Sequence, residues 1–363
     1  AFLERAFELA KPGGTVALLL PAKLGSATYG AAARHALAST ATLVRVADLT
    51  TDPDAAFDAT VYPLALVAKR EPAPANHRVL TSLAGDRGSV PQSKLRGGGP
   101  WMLTGGRARR VLASLGHEHP RLRDSISCHL GLKTGANAVF LDPPDTVEPH
   151  LIRRAIRGRD VRPFLAVAGA RLLYTHGNDG RPFPALPRGA AAHLAPHEEA
   201  LRARADFLDG PPWTLFRTRA ATARHRVVWA DLDRELSAAA LTHAEDREMV
   251  PLNTCYVAVA ESKAEAERLA AWLNSTWIRV AARMAAVPAA GGFVRFASNT
   301  VGQLPLPTSV LRDPRLETLA VAGRGGIPVQ HDLDDLTAQH LALTAADQDA
   351  IRSLVAAGAP RHR

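Results

Sequence analysis

Leu9-Ala-Lys-Pro-Gly-Gly-Thr-Val-Ala-Leu-Leu-Leu-Pro21 decides the fold class of this chain. Lys11-Pro12-Gly13-Gly14 ends a helix with a cation in its last turn and a glycine exit. Thr15 to Leu20 is a short apolar run stopped by Pro21, as expected of a strand buried on both faces of a sheet. Upstream, Phe2, Leu3, Ala6, Phe7 and Ala10 recur at helical spacing. Downstream, Tyr29 to Ala38 reads as a helix and Leu43 to Ala47 and Val61 to Lys69 as strands, with a loop from Thr50 to Thr60. Helix, strand, helix, strand, strand is an α/β order, assigned to a domain over residues 1–70.

Residues 71–106 are rich in Pro, Gly and Ser, include Gly97-Gly-Gly-Pro100, and are expected to form an interdomain linker. Beyond it, over residues 107–363, short strands at Leu172 to Tyr174, Arg226 to Ala230 and Cys255 to Val259 alternate with loops rich in Pro and Gly, which predicts an α+β domain. Its clearest helix is expected from Ser262 to Ala285, with Leu269, Leu273, Trp277, Val280 and Met284 as a core-facing stripe. Leu333 to Ala357 is expected to be helical as well.

Composition bounds the function. With 47% hydrophobic residues in 363 the chain can build two or more cores, and no stretch is long and uncharged enough to cross a bilayer. Cys128 and Cys255 lie far apart without ligand spacing, which argues against a disulfide framework or a zinc site and fits a reducing cytoplasm. His117/His119 and His193/His197 adjoin or span prolines and do not place two metal ligands on a helix face. The chain starts at Ala1 inside a helical pattern, so a truncated front is expected. A net charge of +9 is carried mostly by arginine, whose planar fork suits phosphate oxygens and guanine edges. Arg153, Arg154, Arg157, Arg159, Arg162 and Arg171 crowd one region, and Arg217, Arg219, Arg224 and Arg226 another.

Two loops concentrate the polar chemistry. Gly131-Leu-Lys-Thr-Gly-Ala-Asn137-Ala-Val-Phe140 offers Lys133, Thr134 and Asn137; Ile156-Arg-Gly-Arg-Asp-Val-Arg-Pro-Phe164 offers Arg157, Arg159 and Arg162. Together they can engage phosphates and base edges of double-stranded DNA. The plain alternatives are a glycine-rich hairpin with no ligand, and a surface turn in which Asp160 holds one arginine in an ion pair worth little.

In wording and order these segments resemble N6-adenine DNA methyltransferases of bacterial restriction-modification or related phage-defence systems. Leu9 to Pro21 with the strands to Lys69 is similar to the second half of the catalytic domain; Gly131 to Phe164, Trp272-Leu-Asn-Ser-Thr-Trp277 and Gln303-Leu-Pro-Leu-Pro307 resemble the target-recognition domain. The resemblance implies the last three strands of a seven-stranded sheet binding S-adenosylmethionine, then a domain that selects the DNA sequence. It also implies that Phe57, in Ala55-Ala-Phe-Asp-Ala-Thr-Val-Tyr62, packs on the extruded adenine, the alternative being a core phenylalanine. The family's Asn/Asp-Pro-Pro-aromatic loop has no match. Asp142-Pro-Pro144 is followed by Asp145, Gly210-Pro-Pro-Trp213 opens on glycine, and both come after the strands, so no catalytic residue is expected in this chain. The cofactor loop is missing too. The expected protein is therefore a C-terminal piece of such an enzyme, inactive alone and acting on DNA, with restriction or other defence subunits as further partners. The alternative is a non-catalytic DNA-binding specificity module serving separate subunits.

Overall fold

A five-stranded sheet organises the first of two units in the computed structural model, which describes residues 2–49, 63–83, 86–103, 106–289 and 292–358. This unit gathers residues 1–119, 276–296 and 341–363; the second comprises residues 120–275 and 297–340. Phe57 lies outside the described residues.

In the first unit α1 (Phe2–Leu9) leads into β1 (Thr15–Pro21), then α2 (Lys23–Ser26), α3 (Ala31–Thr40), β2 (Thr42–Asp48) and β3 (Pro63–Lys69). The α1 exit takes the glycine turn its residues imply, but the helix ends at Leu9 with no basic residue of its own in the last turn. Gly13 takes φ +72°, and the Arg70 guanidinium donates to the carbonyls of Ala10 (2.6 Å) and Glu8 (3.2 Å), placing a cation at the helix C-terminus. The sheet order is β1-β3-β2-β4-β5, with β3 antiparallel to both β1 and β2.

Two expectations change here. β1 is an edge strand of the described sheet: Val16 and Leu20 are buried while Leu19 is 53% exposed, so an apolar run that suits two covered faces has only one. The stretch read as a linker instead supplies β4 (Arg78–Leu83), parallel to β2, and β5 (Asp86–Pro91), antiparallel to β4. Val79, Thr81 and Val90 are buried, and outer strands tolerate the Gly88 and Pro91 that suggested a linker. The chain beyond is pinned to the same core. The Gln92 side chain accepts from the Leu43 amide (2.9 Å) and donates to the carbonyls of Ala38 and Ala41, and buried Arg34 donates to those of Leu24, Ala27, Gly98 and Gly99. The unit is completed by α4 (Gly106–Glu118), packed against the helix Ala345–Gly358, which also meets the helix Thr276–Ala285; Arg107 pairs with Asp347 at 2.6 Å.

The second unit has two sheets and a hairpin. Its strands are β6 (Cys128–Leu130), β7 (Ile152–Ile156), β8 (Val161–Arg162), β9 (Leu165–Ala166), β10 (Ala170–Leu173), β11 (Arg226–Ala230), β12 (Leu232–Asp233), β13 (Ala238–Leu241), β14 (Met249–Pro251) and β15 (Cys255–Val259). β7 lies between antiparallel β10 and parallel β14, while β13-β11-β15-β6 form an antiparallel sheet. Every residue of β11 is buried, as befits a strand with neighbours on both sides and both faces covered. The fold is thus mixed α/β with several small sheets; a seven-stranded sheet is not present among the described residues.

The helix expected over residues 262–285 is two helices, Lys263–Asn274 and Thr276–Ala285, interrupted at Ser275. Ser262 caps the first by accepting from the Glu265 amide at 3.1 Å. Its far end is set by buried Asn274, whose amide bonds to the Ala238 backbone, and by the Ser275 hydroxyl, which donates to the Trp272 carbonyl. The apolar stripe is consequently shared: Leu269 and Leu273 belong to the second unit, Trp277 and Val280 to the first. The C-terminal segment likewise divides into helices Gln330–His340 and Ala345–Gly358. No helix among the described residues is long and apolar enough to cross a membrane.

Candidate nucleic-acid interface

The Gly131 to Phe140 loop is fastened from within. Gly131 donates to the Cys255 carbonyl (2.9 Å) and Leu132 to that of Pro251 (2.8 Å), and a Cβ on Gly131 would come within 2.2 Å of the Leu252 oxygen, so only glycine permits this approach. Lys133 exchanges backbone hydrogen bonds with Phe216 (3.0 and 2.9 Å). Its ammonium pairs with the Asp206 carboxylate.

Thr134 is 1% exposed: its hydroxyl donates to Asn137 Oδ1 (2.6 Å) and accepts from the Ala136 amide (3.1 Å), opening the short helix Asn137–Phe140. A hydroxyl so engaged cannot face DNA in this conformation. Asn137 itself is exposed. Gly135, at φ +69°, leaves room for Arg204, whose guanidinium donates to the carbonyls of Leu201 (2.7 Å), Pro212 (2.7 Å) and Thr134 and lies over the Phe216 ring at 4.8 Å. The loop's glycines therefore serve packing first, and its solvent-facing groups are Asn137 and part of Lys133.

The second loop divides its arginines. Asp160 does not neutralise Arg157; its carboxylate accepts from the Arg157 backbone amide at 2.7 Å and holds the turn Gly158–Asp160. The Arg157 guanidinium instead reaches Asp142 at 3.4 Å. Arg159 is 73% exposed with Asp160 at 4.0 Å, the limit of an ion pair. Arg162 is exposed at the β8–β9 tip and forms no ion pair among the described residues. Arg171 pairs with Asp145 at 2.8 Å, both exposed. Exposed pairs of this kind are worth at most about 1 kcal/mol, so a phosphate can replace the carboxylate at little cost. Of the second arginine stretch, Arg217 and Arg219 are exposed, whereas Arg226 is buried and donates to the carbonyls of Ala223, Asp246 (2.9 Å) and Met249 (2.5 Å).

Behind these loops His176 is buried. The Thr175 hydroxyl donates to the Trp213 carbonyl (2.7 Å), so its contact with His176 Nδ1 (3.3 Å) assigns the proton to Nδ1, and Nε2 accepts from the Leu215 amide (3.3 Å). Burial pushes the imidazole down to about 4, against a smaller opposing effect of Asp179. A histidine depressed in the folded state adds stability that is whole above its unfolded value near 6.5 and is lost as pH falls toward 4. The loss expected is about 3 kcal/mol. His176→Gln keeps an acceptor for Leu215 and removes the titration, so its stability should fall less than that of the parent between pH 6.5 and 4. Equal slopes in chemical denaturation would assign the acid loss to other groups.

The glycines after β1 serve the core: Gly25 lies against Leu64, and a Cβ on Gly30 would approach Arg34 and the Leu24 carbonyl to 2.9 Å.

No protein-family model matches the chain, and no curated protein matches it either. Among solved structures it is similar to the type IIL restriction-modification enzyme MmeI, solved in complex with DNA, at TM-score 0.55 and 11% identity, covering 96% of this chain and 48% of that one. It is also similar to the type IIG restriction endonuclease BpuSI, at TM-score 0.46 and 13% identity, covering 98% and 48%. The chain spans about half the length of both. At such identity the likeness to MmeI is one of fold.

Proposed function

We propose that this chain is the part of a restriction-modification enzyme that binds and selects double-stranded DNA. The observation that carries the reading is the fold shared with MmeI, a restriction-modification enzyme that binds DNA, over 96% of this chain. The chemistry of the surface agrees with it. Arg159 and Arg162 project near one hairpin with weak or no neutralisation among the described residues, and Arg157 and Arg171 hold only exposed or half-exposed carboxylates.

In the whole protein the finer reading is methylation of adenine at N6, with S-adenosylmethionine supplying the methyl group. This chain's share is to hold the duplex by its phosphates and to read base edges, with Arg159, Arg162 and Asn137 as first contacts and Arg157 and Lys133 released to phosphate from Asp142 and Asp206. Thr134 acts by holding Asn137 in place.

Titrating Arg159→Ala and Arg162→Ala against cognate and scrambled duplexes at several salt concentrations tests this. An arginine on phosphate should, when lost, weaken all sequences alike and make the slope of log affinity against log salt shallower by about 1. An arginine on a guanine edge should cost about 1–3 kcal/mol on the cognate site alone. A wild-type chain that binds no duplex at low salt would defeat the reading.

A further inference from the structure

The second unit also contains a cavity of about 400 Å³ whose wall includes Arg153, Arg224, Arg226, Arg247, Tyr174 and Asn178. Four arginines line one space, and no carboxylate lines it. Two acids whose charge is felt at this wall, Asp246 at Arg226 and Asp179 at Tyr174, have their carboxylates engaged by other partners. Asp246 gives its carboxylate to Arg324 (2.9 Å from each terminal nitrogen) and to the amides of Thr242 and His243, and Asp179 accepts from the Arg181 amide.

Two of the four arginines are held in place, each by a different feature. Arg153 lies over the Tyr174 ring at 4.5 Å, so the aromatic face holds it without neutralising it. Arg226 is fixed by three backbone carbonyls, neutral acceptors that leave its charge in place, and its Nε has no partner among the described residues. Arg224 and Arg247 are exposed at the mouth and make no ion pair among the described residues. The field is felt next door: His225 is held below the usual imidazole range by burial and then by the charges of Arg224, Arg247 and Lys263. Gathering like charges costs free energy unless an anion relieves it, and planar guanidiniums match the oxygens of a tetrahedral oxyanion.

We propose that this cavity is a phosphate-binding site, with Arg226 and Arg153 as its fixed floor and Arg224 and Arg247 closing on the anion from the mouth. Two sources share that chemistry, a phosphodiester of duplex DNA and the phosphate of a free mononucleotide. The first rests on the function proposed above; the second does not. A smaller adjoining cavity of about 190 Å³, sharing Arg153, Tyr174 and Asn178 and adding His150 and Phe183, gives the rest of a nucleotide a place to lie.

The test uses the full chain and the variants Arg224→Ala, Arg247→Ala and Arg247→Glu, all at exposed positions; Arg226 is spared because it ties three carbonyls. Duplex binding is titrated at several salt concentrations, and inorganic phosphate and adenosine 5′-monophosphate are titrated by calorimetry. If DNA is the source, each alanine variant weakens all duplexes alike and lowers the salt slope by about 1, with Arg247→Glu weaker still. If a nucleotide is the source, the monophosphate binds the parent, binding is lost in the variants, and duplex affinity is unchanged. Failure of the parent to bind any duplex while it binds the monophosphate would defeat the proposed function and leave this site standing. Duplex affinity and slope equal in parent and variants, with neither phosphate nor monophosphate bound, overturns the site and leaves the function intact.

Discussion

Arg204→Ala is expected to destabilise the second unit by about 3–5 kcal/mol, the cost of removing a buried guanidinium whose three nitrogens each hold a carbonyl. Arg204 is 7% exposed and joins three segments of chain: its nitrogens donate to the carbonyls of Thr134, Leu201 and Pro212, and its plane covers Phe216. Deletion leaves those carbonyls short of a donor and opens a void beside Phe140 and Phe216, which lie 5.6 and 4.8 Å from the guanidinium. Arg204→Lys keeps a charge but not the fork, and should recover only part of the loss. Urea denaturation measures the size. Amide exchange gives the location: the paired amides of Lys133 and Phe216 should lose protection together. A loss under 1 kcal/mol, or one that spares these amides, would show that Arg204 does not hold the loop.

That residue marks where reading a sequence stops. Arg202 and Arg204 sit in one charged run and look alike, yet Arg202 pairs with Glu198 on the surface at 2.9 Å and Arg204 is buried. The difference arises from Gly135, far away in sequence, whose missing Cβ makes the space. The glycines and Thr134 of the Gly131 to Phe140 loop are constrained first by packing. A conformational demand and a ligand demand leave the same mark on a sequence.

Local patterns did better. Arg226–Ala230 and Cys255–Val259 are strands with the bounds expected, because continuous apolar runs between turn residues leave few alternatives. What periodicity could not supply was the partner of each face. β1 has the composition of a central strand and lies at the sheet edge, and β4 and β5, polar and glycine-containing, extend that sheet where a linker was expected. The stripe from Leu269 to Met284 keeps helical phase across Ser275, so hydrophobic spacing alone hides the break.

That break carries the second large expectation. Asn274 is fully buried at the end of its helix, where Oδ1 accepts from the Ala238 amide (2.9 Å) and Nδ2 donates to the Ala238 carbonyl (2.8 Å), mimicking a strand partner for β13. Asn274→Leu matches the volume but strands a buried N–H, and should cost about 1–3 kcal/mol. The carbonyl is less exposed to the change, since it also accepts from the Phe164 amide at 2.8 Å. Asn274→Asp separates hydrogen bonding from packing. When protonated, the introduced carboxyl can accept from Ala238 with one oxygen and donate to it with the other, as the amide does. When ionised it is a buried charge against a carbonyl. Its folded pKa is thereby raised above the unfolded value near 3.9, so the variant should approach the parent below pH 4 and weaken progressively as pH rises toward neutrality. A penalty independent of pH would mean that Asn274 matters for its shape alone.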